Sequence, residues 1–196
     1  MCIQLSKIRR VQMTTVQKLD KVIDRMSEEA FLSNKGLSNE VGIHVFCYPP
    51  QDEIIVRKFF EDLQKRSDVP FRIIERDLYK IFLEICEEKR ILTRIPDMEE
   101  RRGKEYLESQ LQKVATPEAF VEKMAYEPHQ HGDVLLISGV GKVYPFMRSH
   151  KILDNIQHVF SDIPVLMLYP GEFNGQDLNL FEKFLDGHYY RAFNLL

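Results

Sequence analysis

The sequence has no run of about 18 apolar residues, the length a helix needs to cross a bilayer, and its basic first 26 residues lack the continuous apolar stretch of a secretory leader. A cytoplasmic protein is the expectation. Cysteine is scarce: Cys2, Cys47 and Cys86 are odd in number and form no C-x-x-C pair. That spacing excludes a disulfide framework and a zinc-knuckle pattern and leaves free thiols in a reducing compartment. Positive charge is not in surplus either. Lys and Arg number 27 against 30 Asp and Glu, a formal net charge of -3, so DNA or RNA binding would need a local patch. No internal repeat, low-complexity tract or linker divides the chain.

What is present suits a folded domain. Hydrophobic residues make up 44% and charged residues 29% of 196, enough to bury a core. Residues 1–196 read as one α/β domain, with 1–32 as a helical segment packed on it. Val16, Leu19, Val22, Ile23, Met26 and Ala30 recur at helical steps and predict a helix over 15–31. Residues 43–48 (IHVFCY) predict a buried strand stopped by Pro49 and Pro50. The helix that follows would bury Ile54, Ile55, Phe59 and Leu63, with Phe60 as a further candidate. Residues 71–75 predict a second strand, and Asp77 a cap for a helix burying Leu78, Ile81, Phe82 and Ile85. A charged helix is expected over 97–114, with Leu107, Leu111 and Val114 as its thin apolar stripe. Thr116-Pro117-Glu118 opens the next helix, reaching to about 128.

Residues 133–138 (DVLLIS) form the clearest strand, as in the centre of a parallel sheet. A glycine turn then leads into a helix expected over 144–160, and residues 164–169 (PVLMLY) predict a fourth strand. Pro170-Gly171 and Asn174-Gly175 mark turns, residues 178–185 a short helix or strand, and the tail a final strand packed on the sheet. Strands alternating with helices predict a mostly parallel sheet of four to five strands flanked by helices.

Ligands of such sheets collect beyond the carboxyl ends of the strands. Three segments lie there: 48–50, 139–150 (GVGKVYPFMRSH) and 169–176 (YPGEFNGQ). The middle one has the strongest chemical character. Gly139 and Gly141 expose backbone N–H groups at a helix start, and Lys142, Arg148 and His150 add positive charge suited to an anion. It is not a Walker A loop, since Val143 follows Lys142 and no glycine lies five positions before Gly141. A strand-to-helix turn with exposed cations is the plainer interpretation, and a degenerate nucleotide- or nucleic-acid-binding domain using this turn is the alternative. His129, His131 and Asp133 alternate, so an extended chain would point all three towards one metal, though a polar loop before a strand explains them as well. His150, Asp154 and His158 recur at four-residue steps on the same expected helix. No serine has a G-x-S-x-G context. Lys7, Arg9, Arg10, Lys18, Lys21 and Arg25 make a basic amphipathic start. Tyr189, Tyr190 and Arg191 are residue types common at interfaces.

Together, Gly36, Asn39 and Glu40 ahead of the first strand, GVGKVYPFMRSH at 139–150, YPGEFNGQ at 169–176 and YYRAFNL at 189–195 resemble the BrxB family of bacterial BREX phage-defence systems. The resemblance covers nearly the full chain. It implies a small cytoplasmic accessory protein, encoded beside a methyltransferase, a large ATPase and a PglZ-like protein of the alkaline-phosphatase superfamily. It transfers no catalytic residues and no cofactor. The expectation is a non-enzymatic component that binds and positions a partner, foremost the PglZ-like protein and otherwise another BREX component. Its candidate contacts are Gly139, Gly141, Lys142, Tyr144, Arg148, His150, Tyr169, Glu172, Tyr189, Tyr190 and Arg191. Direct DNA contact is left open.

Overall fold

Short apolar runs buried on both faces set the framework. The computed structural model describes residues 13–34, 42–185 and 192–196. Among them β1 (Ile43–Tyr48), β2 (Arg72–Asp77), β3 (Asp133–Ser138), β4 (Val165–Phe173) and β7 (Phe193–Asn194) form a parallel sheet in the order β2-β3-β4-β1-β7. Two short strands, β5 (Leu178–Leu180) and β6 (Phe184–Leu185), add an antiparallel hairpin to the end of β4. The α/β fold with a mostly parallel sheet is as the sequence predicts.

Because side chains alternate across a strand, β1 sends Ile43, Val45 and Cys47 to one face and Phe46 and Tyr48 to the other. The second face is covered by α1 (Thr15–Ser27), α2 (Glu29–Leu32) and α3 (Glu53–Leu63). The first is covered by α4 (Leu78–Glu88), α6 (Lys104–Val114), α7 (Pro117–Met124), α8 (Val140–Val143) and α9 (Ser149–Ile156), with α5 (Ile95–Arg102) at their margin. β3 lies between these layers and is buried along its whole length. The chain crosses from β1 to β2 in one direction over α3. It returns through β3 to β4 over α4 to α9 on the opposite face. Direction and face reverse together, as a constant crossover hand requires.

Several expectations need correction. The 15–31 helix breaks at Glu28, whose backbone is extended, and Val16 is exposed although it was expected in the buried stripe. In α3 the buried residues are Val56, Phe60 and Leu63. Ile54 is 72% exposed and Ile55 48% exposed, because a seven-residue repeat from Val56 takes the core-facing side. The charged helix is two helices parted by Gly103, whose φ is 82°, and α7 stops at Met124. The 144–160 helix is replaced by the single turn of α8 and then α9. Tyr144 is extended before Pro145, since a proline drives its predecessor out of the helical region. Pro170-Gly171 is no turn: both lie within β4. A Cβ on Gly171 would lie 2.1 Å from the Asn179 carbonyl oxygen, so this glycine admits the neighbouring strand.

Candidate functional site

The strand order reverses beside β1 and β4, and the crevice there is where open parallel sheets bind their ligands. An open groove of about 610 Å³ occupies this place. Cys47, Tyr48 and Pro49 at the end of β1 and Gly171, Glu172 and Phe173 at the end of β4 line it, with Asn174, Glu182 and Asn194. The start of α1 closes the other side with Met13, Thr14, Thr15 and Lys18.

Local chemistry holds this wall in place. Thr14 caps α1 through a reciprocal capping box with Gln17. The Thr15 hydroxyl donates to Asp52 Oδ2 at 2.6 Å, joining the starts of α1 and α3. The Lys18 ammonium donates to the Cys47 carbonyl at 3.1 Å, on a stretch of β1 that β7 does not pair. The Tyr48 hydroxyl donates to Glu53 Oε2 at 2.6 Å. Burial and then the neighbouring Glu53 raise the Tyr48 phenol. Burial pushes the Cys47 thiol up to about 12, against the pull of Lys18. A protonated, buried thiol is a poor nucleophile. Among the described residues lining the groove, Asp52, Glu172 and Glu182 stand against the one cation Lys18, a negative balance. Around the Thr15–Asp52 link, Met13, Val16, Ile54 and Ile55 are exposed apolar side chains.

The glycine turn lies at the end of β3. Gly139 has a left-handed φ of 75°, and a Cβ there would sit 2.3 Å from Asp77 Oδ1. Asp77 caps α4 by accepting from the Tyr79 and Lys80 amides at 2.9 and 3.2 Å. A phosphate at this turn would therefore meet a carboxylate. A Cβ on Gly141 would lie 2.8 Å from the Phe181 ring, so the β5–β6 hairpin covers the turn. Val140 and Val143 are buried and Lys142 is exposed. Phe181 and Glu182 both adopt left-handed backbone, φ 55° and 59°, a costly conformation for bulky side chains. It seats Phe181 on Gly141 and Glu182 beside the groove.

The candidate contacts divide between these two places. Tyr144, Arg148 and Tyr169 line a cavity of about 20 Å³ with Phe184, room for about one water molecule. Tyr144 and Phe184 pack with ring centroids 5.1 Å apart, and Phe184 is 45% exposed. Tyr169 is buried. His150 is half-buried in the first turn of α9, and Glu172 lines the acidic groove. Tyr189, Tyr190 and Arg191 lie outside the described residues, as do Cys2, Lys7, Arg9, Arg10, Gly36, Asn39 and Glu40. Beyond Arg191 the tail packs as expected: Phe193 and Asn194 pair with His44 and Val45, and Leu195 is buried.

The metal alternative finds its residues apart. Asp133 accepts a two-pronged hydrogen bond from Arg72, both arms 2.8 Å, and further bonds from the Tyr126 hydroxyl and the Gln130 amide. His129 Nδ1 lies 2.7 Å from Asp162, while His131 is 3.9 Å from Glu29. Among the described residues no three such side chains are placed to hold a metal ion. His158 lies beyond the end of α9. Sequence reasoning named the ends of β1 and β4, and Lys18 only as part of the basic start, but missed Thr15, Asp52, Glu182 and Asn194. Their only signal was position: nothing local shows that the start of α1 returns to the end of β1.

Comparison with known proteins agrees on one family. The family model described as "BREX protein BrxB" matches residues 74–195. A protein named "BREX protein BrxB" from Bacillus cereus (strain H3081.97) is 36% identical over 185 residues, covering 92% of this chain and 96% of its own. Another of that name from Escherichia coli O9:H4 (strain HS) is 29% identical over 185 residues, covering 91% and 90%. No solved structure matches. On the family match over most of the chain and the near full-length relative from Bacillus cereus, the chain belongs to the BrxB family of BREX proteins.

Proposed function

We propose that this protein is a non-catalytic component of a BREX bacteriophage-defence system, and that it docks on and positions a partner subunit, the PglZ-like protein of the same system. One observation carries the reading. At the carboxyl ends of the strands lies an open polar groove lined in part by Met13, and Val16 next to Thr15 and Ile54 and Ile55 shortly after Asp52 leave apolar side chains exposed where the Thr15–Asp52 bond joins two helix starts. Exposed apolar side chains beside polar groups are a common feature of interaction sites. Lys142, Tyr144, Arg148 and His150 follow the end of β3, and Phe184 adds an exposed aromatic. Buried aromatic anchors and steering charges on the rim would supply affinity and orientation.

Co-expression with the other products of its BREX locus tests the reading. The tagged chain should recover the PglZ-like protein at low and moderate salt. At least one of Lys142→Ala, Arg148→Glu and Tyr190→Ala should weaken that recovery while the melting temperature stays within a few degrees. A chain that recovers no BREX component at either salt contradicts it.

A further inference from the structure

The groove at the ends of β1 and β4 has a definite chemistry, and it narrows what can dock there. Resting on the assembly reading above, we infer that this groove receives a basic peptide segment of the partner, with lysine or arginine interspersed among apolar side chains.

Charge is the first ground. Asp52, Glu172 and Glu182 line the groove, and the one cation among its lining residues, Lys18, already donates to the Cys47 carbonyl. Among the described lining residues three carboxylates outnumber that one ammonium, and a negative balance attracts cations and repels phosphate. Shape is the second. About 610 Å³ of open groove accommodates the side chains of a short peptide segment, well within the range of ligand sites. The third is the apolar margin. The Thr15–Asp52 hydrogen bond holds the first turns of α1 and α3 together. Val16 follows Thr15, and Ile54 and Ile55 follow Asp52 closely, all largely exposed. Apolar side chains of a bound segment would rest there while its cations reach Glu172 and Glu182 on the far wall. Asn174 and Asn194 also line the groove, their side-chain oxygens accepting from the Gln176, Asp177 and Leu196 amides.

The test uses the full chain, a fluorescent peptide of alternating lysine and leucine, its glutamate–leucine counterpart, and the PglZ-like protein. The lysine peptide should bind and the glutamate peptide should not. Glu172→Lys combined with Glu182→Lys should weaken lysine-peptide binding about tenfold or more. The control Glu105→Lys, exposed on α6, should leave it unchanged. If the double reversal lowers the melting temperature, Glu172→Gln alone replaces it and should weaken binding about threefold. Equal binding of both peptides, or binding untouched by the charge changes, overturns the inference. So does a second copy of this chain occupying the groove, seen as a dimer that the double reversal dissociates. If the PglZ-like protein binds and the double reversal has no effect on that complex, the groove inference fails and the assembly reading stands. If the lysine peptide binds through the two glutamates but the PglZ-like protein does not bind, the PglZ reading fails and the groove inference stands.

Discussion

At the scale of single residues, burial and backbone geometry explain several choices that look arbitrary in the sequence. Gly139 combines left-handed backbone with a Cβ position only 2.3 Å from the Asp77 carboxylate. Gly139→Ala should cost about 2 kcal/mol or more of stability, read from urea unfolding, because strain and collision with a capping carboxylate add. Unchanged stability would contradict this placement. His44 lies in β1, with Phe31 4.8 Å away by ring centroids and a buried Nδ1 that has no hydrogen-bond partner among the described residues. Burial, and secondarily Arg25, lower it from 6.5 to about 4. The folded state thus binds fewer protons than the unfolded chain below 6.5. Its stability is full above that pH and falls as the pH drops from 6.5 towards 4, by at most about 1.4 kcal/mol per pH unit from this group. Unfolding at pH 7 and pH 5 should show a loss that His44→Gln reduces; equal losses in both proteins would refute the assignment.

At the scale of elements, pairing and packing decide which sequence signals survive. β1 and β3 were legible to the residue because each is a short apolar run with a clear stop, prolines after β1 and polar ends on β3, and the Asp77 and Thr116 caps mark their helices through side-chain bonds to local amides. What failed were places where two local signals compete. Pro170-Gly171 has turn chemistry, but β5 pairs with it and makes strand. Ile54 and Ile55 are as apolar as Val56, and only the surrounding fold selects the phase. Two of the three strand-end segments named from sequence do build the groove, whereas its third wall comes from α1, distant in sequence. The β2–β3 pair shows a further element-level device. Arg72 lies opposite Asp133 in the ladder and binds it with both arms of its guanidinium. Burial raises the Asp133 carboxyl, and the bonds from Arg72, Gln130 and Tyr126 outweigh it, leaving it below the usual carboxylate range. Removing one partner of a buried charge is costlier than breaking a solvated pair. Arg72→Ala should lower the melting temperature by several degrees, while Arg66→Ala, which breaks an exposed pair with Asp68, should barely move it. Equal effects would show that the ladder position of Arg72 is irrelevant.

At the scale of the whole molecule, one sheet divides two sets of helices, and its carboxyl end carries two unlike surfaces. One is the glycine turn at β3, filled by Asp77 and Phe181. The other is the acidic groove at β1 and β4, open and bordered by apolar side chains. The first resembles an anion site in sequence, yet its geometry packs protein against protein. The second left little trace in sequence and offers the larger open surface. Exposed apolar substitutions should separate binding from folding: Ile54→Ser combined with Ile55→Ser should leave the urea midpoint nearly unchanged and weaken partner recovery. A fall in stability without a binding defect would assign both residues to packing. The central claim, that this protein acts by holding a partner, is tested most directly by titrating the purified PglZ-like protein into the purified chain in a calorimeter. The account predicts a saturable stoichiometric complex of micromolar affinity or tighter, weakened by Arg148→Glu or by the paired isoleucine change. Absence of any heat of association at concentrations well above micromolar, with both proteins folded, would contradict it.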